Sequence, residues 1–261
     1  MMTSLWVSKT GLSAQDTQLA TISNNLANVG TVGFKRDRVM FEDLLYQIQR
    51  QPGAQSSENN QLPTGLQVGT GVRVVATQKE FTEGSLQVTN NALDVALNGR
   101  GFFEVLLPDG TTAYTRNGQF ALSQDGELVN ADGLVVQPAI TVPIDAQSLT
   151  ISKDGVVSAV LPGTAVATQI GSLTVSDFIN PGGLQAIGGN LFLETNASGA
   201  PTNGTPGLDG LGTLIQGSLE NSNVEVVEEL VSMITTQRAY EMNTKVIQTS
   251  DQMLQNLTQN L

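Results

Sequence analysis

Four leucines at seven-residue intervals, Leu5, Leu12, Leu19 and Leu26, open the chain, and Ser8, Gln15, Ile22 and Val29 fall at the intervening offset of three. A pattern of a and d positions sustained over about four heptads predicts an amphipathic helix with a single seam. Asn24, Asn25, Asn28 and Gly30 supply the stop chemistry. A lone helix at a chain end is marginal in water, so the seam needs a partner. Packing on the chain's own domain and packing on another chain both satisfy it.

The other end repeats the theme. No Gly or Pro follows Gly217. Leu219–Asn223 offers N-cap candidates, and Glu225, Glu228 and Glu229 suit the positive end of a helix dipole. Val224, Val227, Val231 and Ile234 keep three/four spacing; the stripe drifts through Ala239, Met242 and Val246 and resumes at Ile247, Leu254, Leu257 and Leu261. The spacing predicts a helix over 221–261.

Between the ends the periodicity changes to two. Short apolar runs at Val72–Val74, Val95–Leu97, Phe102–Leu107, Ala113–Thr115 and Leu149–Ile151 are punctuated by Pro108–Asp109–Gly110, Asn117–Gly118, Asp125–Gly126, Asp132–Gly133 and Asp154–Gly155. Turn signals every 8–12 residues predict an all-β centre, with Asn117–Gly118 the strongest hairpin signal. Residues 182–217 read as loop-rich. The expected fold is α+β: long N- and C-terminal helices paired as a coiled-coil-like core, with a central all-β domain. The boundaries are 1–30 for the first helix, 31–90 for a linker with a polar insertion and a β-hairpin, 91–220 for the outer domain and 221–261 for the last helix. Terminal helices that do not bury their stripes on the centre must bury them on each other or on other copies.

Composition narrows the chemistry. The chain has no Cys and no His, which removes disulfides, thiol nucleophiles, imidazole bases and zinc fingers. A net charge of −12 argues against nucleic-acid binding and against docking on anionic lipid. No apolar run reaches the length of a membrane span, and Met1–Ser8 lacks the basic start of a secretory signal. Asn98–Gly99–Arg100–Gly101 lacks the third glycine of a dinucleotide loop, because position 104 is Glu104; it reads as a tight turn. Asp125, Asp132, Asp145 and Asp154 match no EF-hand spacing, and three of them precede Gly in turns. No catalytic, cofactor-binding or metal-ligating set emerges, although a carboxylate pair assembled in space is not something a sequence displays. Lys35–Arg36–Asp37–Arg38 reads either as a solvated loop or as a contact for an acidic neighbour. Arg238 and Tyr240 suit an ion pair and an interface pocket.

Ile22–Ser23–Asn24–Asn25–Leu26–Ala27–Asn28–Val29 followed by Gly33–Phe34–Lys35–Arg36 resembles the N-terminal signature of bacterial flagellar rod and hook proteins. Ser222–Asn223–Val224 and Gln237–Arg238–Ala239–Tyr240–Glu241 resemble their C-terminal signature. Asn98–Phe103 and Tyr114–Gly118 resemble their central motif. Phe41–Tyr46, Arg50–Ser57 and Leu66–Val72 resemble the insertion of the family's distal-rod branch; a proximal rod or hook-type axial protein is the second reading.

The resemblance implies a non-enzymatic structural subunit, exported through the flagellar export apparatus without a cleaved signal peptide. It implies a homo-oligomeric helical polymer, the periplasm-spanning rod of the basal body, that transmits torque to the hook. Its implied partners are other rod proteins, hook protein and the surrounding P and L ring proteins, with no nucleic acid, no membrane insertion and no cofactor. Self-assembly would fall to Leu5, Leu12, Leu19, Ile22, Leu26, Val224, Val227, Val231, Ile234, Arg238, Tyr240, Leu254 and Leu257, and the family motif to Asn24, Asn25, Asn28, Gly33, Phe34 and Lys35. A peptidoglycan-acting enzyme built on the β-domain is the remote alternative.

Overall fold

A computed structural model describes residues 2–53, 55–57, 60–61, 63–163 and 166–259. Two long helices bracket a strand-rich centre: α1 spans Met2–Ala27 and α2 spans Val226–Gln259. The fold is α+β, and the helices lie where the apolar spacing places them. No described helix is long and apolar enough to cross a membrane. The chain divides into two compact units, one of residues 1–27, 37–78 and 225–261, the other of 28–36 and 79–224.

The first unit holds both helices and a β-ribbon. Threonines inside the helices return their hydroxyls to carbonyls one turn back, as Thr17 does to Ser13 O and Thr236 to Ser232 O, which satisfies the hydroxyl within the helix itself. In the ribbon, Asp37–Asp43 pairs with Val72–Lys79, Tyr46–Arg50 with Leu66–Gly69, and Gln55–Ser57 with Asn60–Gln61, so that the chain runs out along one side and returns along the other. The polar insertion 51–65 forms the outer end of this ribbon; its residues 54, 58, 59 and 62 lie outside those described. Gly71 has φ +122, and a Cβ there would sit 2.1 Å from Thr10 Oγ1, so ribbon backbone runs directly against α1.

The second unit is built on an antiparallel five-stranded sheet ordered Val136–Gln137, Phe103–Leu106, Thr112–Thr115, Leu191–Leu193 and Gln185–Gly188. A three-stranded sheet of Ser148–Ile151, Val156–Val160 and Thr168–Ser172 packs its apolar face into the same core, with Phe103, Val105, Val157, Leu173 and Leu214 almost fully buried. Phe102, Tyr114, Phe178 and Phe192 form a second cluster of edge-to-face rings.

Two expectations need correction. Asn117–Gly118 closes no hairpin: Thr112–Thr115 pairs back across the Pro108–Asp109–Gly110 turn with Phe103–Leu106, and on its other side with the distant Leu191–Leu193. Gly118 is there for closeness: Val95 N donates to its carbonyl, and a Cβ would sit 1.6 Å from Val95 O. Residues 182–217 are not loop alone but carry four strands, Gln185–Gly188, Leu191–Leu193, Thr202–Gly204 and Thr213–Gln216. Three of these pair with distant chain, Leu191–Leu193 with Thr112–Thr115, Thr202–Gly204 with Val175–Asp177 and Thr213–Gln216 with Val95–Asn98. Non-local pairing leaves no mark in local sequence.

Candidate functional site

The helices pack side by side through an unexpected face. On α2 the buried or half-buried Glu229, Ser232, Met233, Thr236, Ala239, Asn243, Ile247 and Ser250 share one side of the helix, the side from which Glu229 and Asn243 meet α1. Asn25, itself buried on α1, donates through Nδ2 to Glu229 Oε1 and to Asp37 O and accepts from Asp37 N. A Cβ on Gly11 would sit 3.1 Å from Asn243 Nδ2. Buried Gln15 Oε1 has no partner. This side of α2 mixes polar side chains with Met233, Ala239 and Ile247.

The apolar stripe of α2 faces the opposite way. Val227, Val231 and Ile234 are 67 %, 56 % and 50 % exposed, and Val226, Leu230, Met242, Val246 and Met253 share that side of the helix. Leu254, Tyr240 and Arg238 are also exposed. Leu257 is carried by the last turns of α2 with its side chain outside the described residues. On α1, Leu5, Leu12, Leu19 and Leu26 are half-buried and Ile22 is buried; Asn24 is exposed. The ribbon adds exposed Leu45, Tyr46, Ile48 and Leu66.

A second constellation lies in the β-rich unit. Gly33, at φ +70, passes so close to Arg116–Asn117 that a Cβ would meet backbone at 2.8 Å, and its N–H donates to Glu220 O. That approach delivers Lys35, whose Nζ donates to Glu220 Oε1 at 2.6 Å and to Thr82 O at 2.7 Å. Glu220 Oε1 also accepts from Gly84 N, and Oε2 from Arg116 Nη1 at 3.4 Å. Arg116 Nη2 donates to Gly99 O, its guanidinium lies over the Phe102 ring, and its Nε is buried without a partner. Arg36 pairs with Glu80 at 2.6 Å, its N–H donates to Asn223 Oδ1, and Asn223 Nδ2 donates to Glu80 O and Thr82 Oγ1. Asn28 starts the segment, accepting from Thr31, and Phe34 is buried under Lys79. Val224, just before α2, is buried.

Burial pushes the ammonium of Lys35 down from its ordinary range and Glu220 opposes that; Arg116 is pushed down for the same reason and opposed by the same carboxylate. The basic run 35–38 is therefore neither a solvated loop nor open to a neighbour at its first two residues: Lys35 and Arg36 are spent within the chain. Segments that resemble three separate signatures, 33–36, 98–103 with 114–118, and 222–223, meet in one collar. Glu220, Glu80 and Thr82 carry no sequence signal beyond Glu220 being a lone acid in the otherwise uncharged strand Ser218–Glu220. Arg100 stands apart in an exposed pair with Asp177, in the tight turn expected for residues 98–101. The described residues hold no cluster of three or more groups able to ligate a metal.

Comparison with known proteins adds the following. Residues 5–35 match the family described as flagella basal body rod protein, 96–159 the flagellar hook protein FlgE/F/G D1 domain, and 215–260 the flagellar basal body rod FlgEFG protein C-terminal family. The chain is 54 % identical over 259 residues to the flagellar basal-body rod protein FlgG of Buchnera aphidicola subsp. Schizaphis graminum, covering 99 % of this chain and 100 % of that protein. It is 49 % identical over 256 residues to the FlgG of Borreliella burgdorferi, covering 97 % of each, and 48 % identical over 259 residues to that of Caulobacter vibrioides, covering 99 % of each.

Proposed function

The chain belongs to the flagellar basal-body rod protein family, and from that premise we propose that it is a structural subunit of the distal rod, self-assembling into a helical tube that transmits torque from motor to hook. The observation that carries this reading is the orientation of α2. A helix that packs on its intrachain partner through one side and leaves Val227, Val231 and Ile234 in solvent on another is arranged for a neighbour.

In this reading α1 and α2 form a coiled-coil-like core in the tube, with Leu5, Leu12, Leu19, Ile22 and Leu26 on one helix and Val224, Val227, Val231, Ile234, Arg238, Tyr240, Leu254 and Leu257 at or on the other making contacts within and between copies. Asn24, Asn25, Asn28, Gly33, Phe34 and Lys35 set the path of the chain from α1 into the β-rich unit. The protein is exported without signal cleavage, works in the periplasm-spanning part of the basal body, and meets other rod proteins, hook protein and the P and L ring proteins. Electron microscopy of the concentrated, purified protein tests it: straight hollow tubes are expected, and a protein that stays monomeric at high concentration overturns it.

A further inference from the structure

The β-rich unit is assembled from two pieces of chain, 28–36 and 79–224. The first piece contributes no strand to it and no residue to the main apolar core. What docks it is the collar. The charges there do not balance: two buried cations, Lys35 and Arg116, share the single carboxylate of Glu220, with Glu83 assisting both from a more exposed position. Any subset of this cluster leaves a charge or a backbone donor buried without its partner.

We infer that the collar is a closure lock: the β-rich unit reaches its folded state only when residues 28–36 and 218–224 are docked together, so its folding waits for the chain on both sides of it. The strand Ser218–Glu220 pairs only with Leu86–Val88, whose three residues are all exposed. Ser218–Glu220 is itself buried, but a two-stranded pair with one exposed partner ordinarily belongs to the parts of a protein that open early. The lock instead makes its opening and that of the core one event.

Native-state amide exchange of the full chain at rising denaturant separates the two accounts. The collar amides are Gly33, Arg36, Gly84 and Asn221; the core amides are Leu106, Leu128 and Leu173. The expected result is one shared opening for both sets. Glu220→Gln should speed exchange in both at least a hundredfold. The apolar triple variant Lys35→Met/Arg116→Met/Glu220→Leu, with no charge to strand, should restore core protection while collar amides exchange at least tenfold faster than the core. Collar amides that exchange ahead of the core in the parent overturn the lock. So does a Glu220→Gln protein whose core amides stay within threefold of the parent. If the triple variant also fails to fold, the defect lies in packing and not in charge, and the inference falls.

Discussion

Lys35 and Glu220 stand 185 positions apart in the chain and meet at 2.6 Å, with 0 % and 1 % of their side chains exposed. A buried pair of this kind adds little net stability against an apolar isostere, but it is costly to break from one side. It therefore specifies more than it stabilises: it fixes where the chain leaving α1 lies relative to the strand that precedes α2. The glycine two residues earlier makes the approach feasible, because no other side chain fits between Gly33 and the backbone of Arg116.

Val231→Asp separates folding from assembly. Val231 is more than half exposed, so the monomer should lose no more than about 0.5 kcal/mol in urea unfolding. Assembly should be abolished, because each subunit contact would bury an unpaired carboxylate. Sedimentation of the variant beside the parent reads both; tubes formed at the parental concentration would remove the stripe from the interface.

Deleting residues 51–63 should leave the helices and the β-rich unit folded, since the segment is the outer end of a ribbon whose other strand pairs lie closer to α1. Polymer shape should change. Loss of contacts between neighbours would free subunits to take more than one axial spacing. Filaments as straight and rigid as the parent's in electron micrographs would contradict this.

Alkaline pH should expose Tyr114. Burial, with the carboxylates of Glu104 and Glu194 nearby, raises its hydroxyl to about 12. A group whose pKa is higher folded than unfolded stabilises fully below its unfolded value near 10 and loses that contribution as pH climbs towards 12. The loss amounts to about 2–3 kcal/mol. Lys35, lowered by burial, works with the opposite sign over the neighbouring range. Comparison with Tyr114→Phe isolates the tyrosine: the phenylalanine protein should lose less stability between pH 10 and 12, and identical pH profiles would refute the assignment.

Gly118→Ala should cost about 3 kcal/mol in chemical denaturation, because the added methyl meets the Val95 carbonyl, which the backbone holds in place. Gly110→Ala, whose Cβ meets nothing, should cost only the strain of its positive φ.

Much of the fold was legible in the sequence. The seven-residue leucine spacing and the glycine-free C-terminal run mark both helices to within a few residues, and Asp125–Gly126 and Asp154–Gly155 sit in the hairpin turns expected of them. What failed did so for stated reasons. Asn117–Gly118 has hairpin chemistry but serves close approach. Three of the four strands in 182–217 pair with chain far away. The partner of Lys35 is a glutamate in a strand of three residues, and nothing local distinguishes it from a surface acid. The face of α2 that meets α1 carries only part of the apolar stripe, with Ala239 and Ile247 beside Glu229, Thr236 and Ser250, so hydrophobic periodicity alone does not point to it.

Placing Glu220 so late in the sequence has a consequence for synthesis. A polypeptide released early, or trimmed from its end back past that residue, carries Lys35 and Arg116 without the carboxylate they share. If the closure lock holds, such a product should be cut by proteases although most of its β-rich portion is present, so that one electrostatic contact would report whether the chain continues past that strand.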